Sequence, residues 1–353
     1  MGLKLGLNLG YWGIGPQGEE AVGIVQASER AGFDSVWAAE SYGSDVVSVL
    51  AWLAPQTETI QLGGAIMQVP ARAPAAAAMA GCTIDALSGG RFIFGFGPSG
   101  PQVSEGWYGV PYSKPWGRTR EYIEIVSQIV AREGRVEYQG QHFTLPLPEG
   151  EGKALKLNFH PIRNEIPIFV GAIGRKSVEM AAEICDGWIP IFSSPAAFQS
   201  TWGEHLEAGF AKGGRKRSDL EISPTVQVAI DGDLDAARAV VRAGLMLYLG
   251  GMGSRKTNFY VDLTHRFGFG EVADEVQALY LDGNREDAYK AIPDELVAAT
   301  SLVGTEAEVS EQLERYVAAD VDRLIISPIS PEPEQRLHAV ERLAELAGVA
   351  AAV

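Results

Sequence analysis

The order of apolar and polar positions switches between two periods along almost the whole chain. Short apolar or alternating runs read as strands, and each is followed by a stretch with apolar residues three and four apart, the spacing of a helix. The strand runs fall at residues 3–9 (LKLGLNL), 33–37 (FDSVW), 60–67 (IQLGGAIM), 91–95 (RFIFG), 166–170 (IPIFV), 187–191 (GWIPI), 221–230 and 323–327 (RLIIS). Helical spacing follows the first six at 19–31, 46–54, 75–87, 117–131, 176–185 and 196–213. A long helical region follows the seventh run, and residues 334–347 form a terminal helix. Eight strand-then-helix units predict an α/β fold with parallel strands and crossover helices. An open doubly wound sheet is the alternative, but eight units with no linker between halves favour a single (β/α)8 TIM barrel spanning 1–353. Such a barrel needs about 250 residues, so roughly 100 are left for insertions. They belong after strand 4 (97–165, with a small hairpin expected in RVEYQGQHFTL) and between strands 7 and 8 (about 250–305, expected to cover the barrel mouth).

Composition narrows the function. A net charge of −16 argues against nucleic acid and anionic membrane surfaces as partners, leaving a small-molecule substrate. An anionic cofactor then needs locally placed cations or backbone N–H groups. Cys82 and Cys185 make neither a disulfide framework nor a zinc spacing, and the five histidines show no metal pairing, so no metal is expected. With no run of eighteen apolar residues and no leader-like N-terminus, a cytoplasmic location is expected.

Candidate chemistry collects at strand ends. GFGPSG (residues 95–100) matches the G-x-G-x-x-G dinucleotide fingerprint, but Pro101 follows at once and no helix is expected before about residue 117, so the fingerprint fails. Its position after a strand still places Gly97, Pro98, Ser99 and Gly100 at the face where barrels build active sites. GAIGRKS (171–177) follows the fifth strand and opens a helix. Its small residues, free N–H groups and Arg175–Lys176 pair suit an anion. Glu40, Ser41 and Tyr42 follow the second strand; Asn8, Tyr11 and Trp12 follow the first; Glu105, Trp107 and Tyr108 follow the fourth. Together the aromatics describe a mouth suited to a planar ring.

In chain order, ASERAGFDSVWAAESYG, IQLGGAIMQVPARAPAAAAMA, LSGGRFIFGFGPSGPQVSEGWYG, PIFVGAIGRKSVEMAAEICDGWIP and LVGTEAEVSEQLERYVAADVDRLIIS resemble the luciferase-like monooxygenase superfamily, in its coenzyme F420-dependent oxidoreductase branch. The resemblance implies a deazaflavin, or FMN as the alternative, in the mouth. It implies that Gly171, Ala172, Ile173, Gly174, Arg175 and Lys176 surround the phosphate, and that Gly97 to Gly100 line the tail or ring. It also implies a cis peptide at Ala65–Ile66 backing the ring, and a homodimer. The activity implied is hydride transfer between the deazaflavin C5 and a small organic substrate. A two-component FMN monooxygenase is the runner-up, and a non-catalytic cofactor-binding barrel is a further alternative. Where relatives carry an Asp-His pair, this chain reads Glu40-Ser41. The expected proton-handling candidates are therefore Glu40, Tyr42 and Glu105.

Overall fold

In the computed structural model, which describes residues 2–11, 18–253 and 258–349, eight parallel strands form the barrel that the alternation predicts. They are β1 (Lys4–Gly10), β2 (Ser35–Ala38), β3 (Gln61–Gly64), β4 (Phe92–Gly97), β5 (Ile168–Val170), β6 (Gly187–Trp188), β7 (Thr225–Ile230) and β8 (Arg323–Pro328). Each pairs in parallel with the next from β1 to β6. The lead-in to β7, Glu221–Ile222, pairs with β6, while β7 pairs with β8 and β8 with β1, which closes the ring.

The helices are α1 (Glu19–Arg30), α2 (Val46–Leu53), α3 (Pro74–Leu87), α4 (Pro101–Gly106), α5 (Pro115–Ala131), α6 (Arg175–Ile184), α7 (Glu204–Gly213), α8 (Leu234–Met246), α9 (Phe259–Arg266), α10 (Gly270–Leu281), α11 (Arg285–Lys290), α12 (Asp294–Thr300), α13 (Glu306–Ala318) and α14 (Pro333–Leu346). Local chemistry sets several of their starts. The Asp45 carboxylate accepts from Ser48 N ahead of α2, and Thr305 with Glu308 forms a reciprocal cap ahead of α13.

Two apolar layers follow from the strand period of two. Outward positions, such as Leu5 and Leu7 of β1, Phe92, Phe94 and Phe96 of β4, and Leu324 and Ile326 of β8, pack under the helices. Inward positions put Trp37, Ile93, Phe169, Ile189 and Ile325 inside the barrel. The interior holds these large rings because neighbouring strands offer glycine. A Cβ on Gly63 would lie 2.2 Å from the Trp37 ring, and one on Gly187 would lie 2.3 Å from Phe169.

Four features differ from the sequence expectation. The third run breaks after Gly64 and resumes as Met67–Gln68 against β4; the Ala65–Ile66 peptide between them is cis, as the family resemblance implied. The seventh run is interrupted at Ser223–Pro224, where proline has no N–H for the ladder. An additional strand, Ser301–Gly304, flanks β7 on its outer side. Its four apolar-to-small residues directly follow α12 and carry no pattern that separates them from the helix. Most instructive is α4, which starts at Pro101 directly after GFGPSG. The sequence pattern predicts no helix before about residue 117, yet proline suits a first helical position, where its missing N–H would have no intrahelical partner. What disqualifies the dinucleotide fingerprint is therefore the closed barrel, not the absence of a helix.

Candidate active site

At the C-terminal ends of β3, β4 and β5, one side chain and one carbonyl explain three glycines. Ile66, half-buried beside the cis bond, lies where a Cβ on Gly97 would come within 2.0 Å of its Cδ1 and one on Gly171 within 2.9 Å of its Cγ2. A Cβ on Gly95 would lie only 1.7 Å from the Gly64 carbonyl oxygen. Two glycines of GFGPSG thus admit the bulged end of β3 rather than cradle a phosphate. Gly100 is the N-cap of α4, where a Cβ would meet only the Gln102 side chain at an ordinary 3.6 Å, and Ser99 adopts a left-handed φ of 64° while its carbonyl accepts from Tyr112 Oη at 3.1 Å. Pro98 lines a small cavity of about 10 Å³ with Val69, Ser104 and Arg118.

The proton-handling candidates are placed very differently from one another. Glu40 is 6% exposed, and both its oxygens accept from the Arg72 guanidinium. It also accepts from the backbone N of Gln68 at 2.9 Å, just past the cis bulge. Arg72 donates further to Asp45 at 2.8 Å. Glu40 therefore ties the end of β3 to the loop after β2. The next carbonyl, Ser41 O, accepts from Gln68 Nε2 at 2.8 Å and from Tyr108 Oη at 3.0 Å. Tyr42 is 66% exposed on the rim, as is Trp107. Glu105 lies on α4, exposed, accepting from the Tyr112 backbone N at 3.0 Å.

The GAIGRKS segment forms the turn from β5 into α6. Its carbonyls are drawn away from the mouth: Ala172 O accepts from Trp188 Nε1 at 2.8 Å, and Ile173 O from Trp202 Nε1 at 3.2 Å. Gly174 is the N-cap of α6 with no side-chain cap, so the amides of Arg175 and Lys176 have no intrahelical acceptor. Both side chains are exposed. Arg266, at the end of α9, joins them from the other insertion. Its Nη2 donates to Ile173 O at 3.0 Å, while its buried Nη1 has no hydrogen-bond partner. Burial, and then the neighbouring Arg175 charge, lower its pKa against the opposing pull of Asp262. A cleft of about 420 Å³ opens between Gly174, Arg175, Phe259, Asp262, His265 and Arg266. Sequence reasoning missed Arg266, because a lone arginine in THRFGFG has no motif to single it out.

A second group of side chains near the mouth is aromatic. Phe192, Tyr248 and Tyr260 meet edge to face, with centroids 4.7 to 5.9 Å apart. Tyr11, half-buried, follows β1. Burial, then the nearby Tyr11 phenol, pushes Tyr260 up to about 12 and Tyr248 higher still. Below them, Asn8 Nδ2 donates to Ser327 Oγ at 2.9 Å across β1 and β8. Trp12, expected in this group, lies outside the described residues. Among the described residues no cluster of His, Cys, Asp and Glu is suited to a metal ion, and no helix is long and apolar enough to cross a membrane.

With this geometry in place, the comparisons have a site to bear on. The profile of the family described as luciferase-like monooxygenase matches residues 9–323. The chain belongs to that family. It is 48% identical over 345 residues to a provisionally assigned coenzyme F420-dependent oxidoreductase of Mycobacterium tuberculosis (strain ATCC 25618 / H37Rv), covering 96% of this chain and 99% of the relative. It is 31% identical over 324 residues to the 5,10-methylenetetrahydromethanopterin reductase of Archaeoglobus fulgidus, covering 90% and 92%. The coenzyme F420-dependent tetrahydromethanopterin reductase from Methanopyrus kandleri has the same fold, with a TM-score of 0.80 over 98% of both chains at 24% identity. This luciferase-like protein is thus an oxidoreductase on a TIM-barrel scaffold.

Proposed function

We propose that this enzyme uses coenzyme F420 to transfer a hydride between the deazaflavin C5 and a small, uncharged organic substrate. The observation that carries the reading is the buried, unpartnered Arg266 Nη1, set beside Arg175 at the uncapped start of α6. Burial of Arg266 and its repulsion by Arg175 are costs that a bound anion would offset. A phosphate there would accept from Arg266, Arg175 and the first amides of α6, as helix N-termini and guanidinium groups favour. The half-buried Ala65–Ile66 bulge, reached from this turn through the Ile66–Gly171 contact, would back the ring. Bound there, the deazaflavin would supply two-electron hydride chemistry without activating O2, because it lacks the flavin N5.

The chain's own residues do the rest. Glu40 and Arg72 hold the end of β3 in register beside the ring position, and the tyrosine group orients substrate and excludes water. The phosphate site would also accept FMN; the names of the 48%-identical relative and of the Methanopyrus structure favour F420. Fluorescence titration with F420 and with FMN tests the choice. Tighter FMN binding with O2-dependent product formation would defeat it. We carry a homodimer forward with this proposal, supported by the exposed face of α3, where Ala75, Ala76, Met79, Thr83 and Leu87 present no charge. Light scattering on the purified protein decides it.

A further inference from the structure

Resting on that reading of the site, we propose that Trp202 is a positioning residue for the cofactor's phosphate, with Trp188 as its companion. The two indoles hold the turn after β5 so that its amides face the mouth.

The argument starts from the backbone. Among the described residues, no acceptor meets the N–H groups of Ala172, Ile173, Gly174, Arg175 and Lys176. Those of Gly174, Arg175 and Lys176 are the ordinary orphans of a helix start, but those of Ala172 and Ile173 lie before it. Trp188 Nε1 donates to Ala172 O at 2.8 Å, and Trp202 Nε1 to Ile173 O at 3.2 Å. Both peptides are trans, and a planar trans peptide points its N–H opposite to its C=O. Trp188 therefore turns the Ile173 amide away from itself, and Trp202 does the same to the Gly174 amide. Two successive peptides of one turn are thus set from two elements, the end of β6 and the π-helical turn Gln199–Gly203 ahead of α7.

Trp202 reaches the other half of the anion grip as well. Its ring meets Phe267 edge to face at 5.9 Å, and the preceding residue, Arg266, donates to the same Ile173 carbonyl. Trp188 and Phe198 fix it from other sides, at 5.2 and 5.1 Å. All three of these rings, Trp188, Phe198 and Trp202, are fully buried. One buried side chain therefore couples the backbone donors at the start of α6 to the cation from α9. π-helical turns recur at functional sites, and this one carries the indole that touches both halves.

The physical gain is preorganisation. Without the indole N–H, the peptide before Gly174 loses a restraint, and glycine opposes its rotation less than any other residue. Donors fixed before binding cost no ordering when the ligand arrives. Convergent amides beside Arg175 and Arg266 suit a phosphate, and they offer nothing specific to the phosphate-free part of the cofactor.

Three measurements on the full chain test this. Trp202→Phe keeps an aromatic ring but removes the N–H. It should weaken F420 about tenfold, while affinity for FO, the same deazaflavin without phosphate or tail, changes by less than about twofold. In steady state, the KM for F420 should rise by the same factor with kcat little changed. Equal weakening of F420 and FO would mark a merely structural indole and overturns the proposal, as does unchanged F420 affinity. The third measurement needs no variant. Inorganic phosphate added to wild type should move the NMR amide signals of Ile173 and Gly174 together with the Trp202 indole signal. An anion on the amide strengthens the hydrogen bond at the far side of the same peptide. A Trp202 signal that stays still overturns the proposal. Wild type that fails to bind F420 defeats the proposed function, and the phosphate response of Trp202 still decides this inference.

Discussion

Two arginines at opposite ends of the barrel show the difference between a finished site and an open one. Arg323, at the floor, is 2% exposed and pairs with Asp34 and Glu221, each at 3.1 Å. The Gln61 side chain accepts from it, and the rings of Trp37 and Phe169 flank it within 6 Å. Two carboxylates, an amide and two π faces surround its charge, although its buried Nε and Nη1 make no hydrogen bond. Arg266, at the mouth, meets one carbonyl, a second guanidinium and an exposed carboxylate at Asp262. Burial and the like charge of Arg175 lower its pKa, with the exposed Asp262 carboxylate pulling the other way. The same residue type thus closes one end of the barrel and leaves the other end waiting for an anion.

The floor should therefore fail in stability and the mouth in binding. Arg323→Met strands Asp34 and Glu221, and should cost about 3 kcal/mol, the low end for breaking a buried pair because both carboxylates are partly exposed. Urea denaturation checks it, and an unchanged midpoint would erase the contrast. Arg266→Gln should leave the urea midpoint almost unmoved while weakening F420 about 10- to 100-fold, the worth of charge-assisted hydrogen bonds. Comparable loss of stability would make Arg266 a second structural arginine. Glu40→Gln falls between the two regions. It should cost about 2 kcal/mol by loosening Arg72 and the Gln68 amide, and lower turnover with F420 affinity nearly unchanged. Paired melting and steady-state kinetics separate the two effects.

The smallest expected effect is alkaline loosening of the mouth. Tyr260 has a folded pKa raised to about 12, above its unfolded value near 10. Its stabilisation is complete below pH 10 and is lost as pH rises from 10 through 12. Hydrogen exchange should show α9 and the Tyr248 segment opening in that window before β1 and β8 do. Simultaneous opening would mean that mouth and floor form one cooperative unit.

How much of this was legible beforehand follows from which interactions are local. The eight barrel strands, the hairpin after β4 and the helical insertion after β7 all lie in runs of a few residues with a clear period, and were read to within a few positions. α4 was missed because a proline after glycines reads as a loop, although proline is welcome at a first helical turn. The strand Ser301–Gly304 was missed because only its pairing with β7 makes it a strand. Glu40 was legible as a carboxylate at a strand end. That its oxygens are taken up by Arg72, thirty-two positions on, was not.

GFGPSG shows the same division most clearly. The sequence by itself determined the strand, the two small inward positions and the place at the catalytic face, since strand period and glycine size are local properties. Only the tertiary structure decided what the glycines are for, which is to admit the Gly64 carbonyl and the Ile66 side chain across the barrel wall. Only barrel closure brought Arg266, from an insertion ninety residues past the fifth strand, onto the Ile173 carbonyl beside Arg175. Contacts of that separation depend on how the ring of strands is closed, and nothing in the neighbouring residues encodes them.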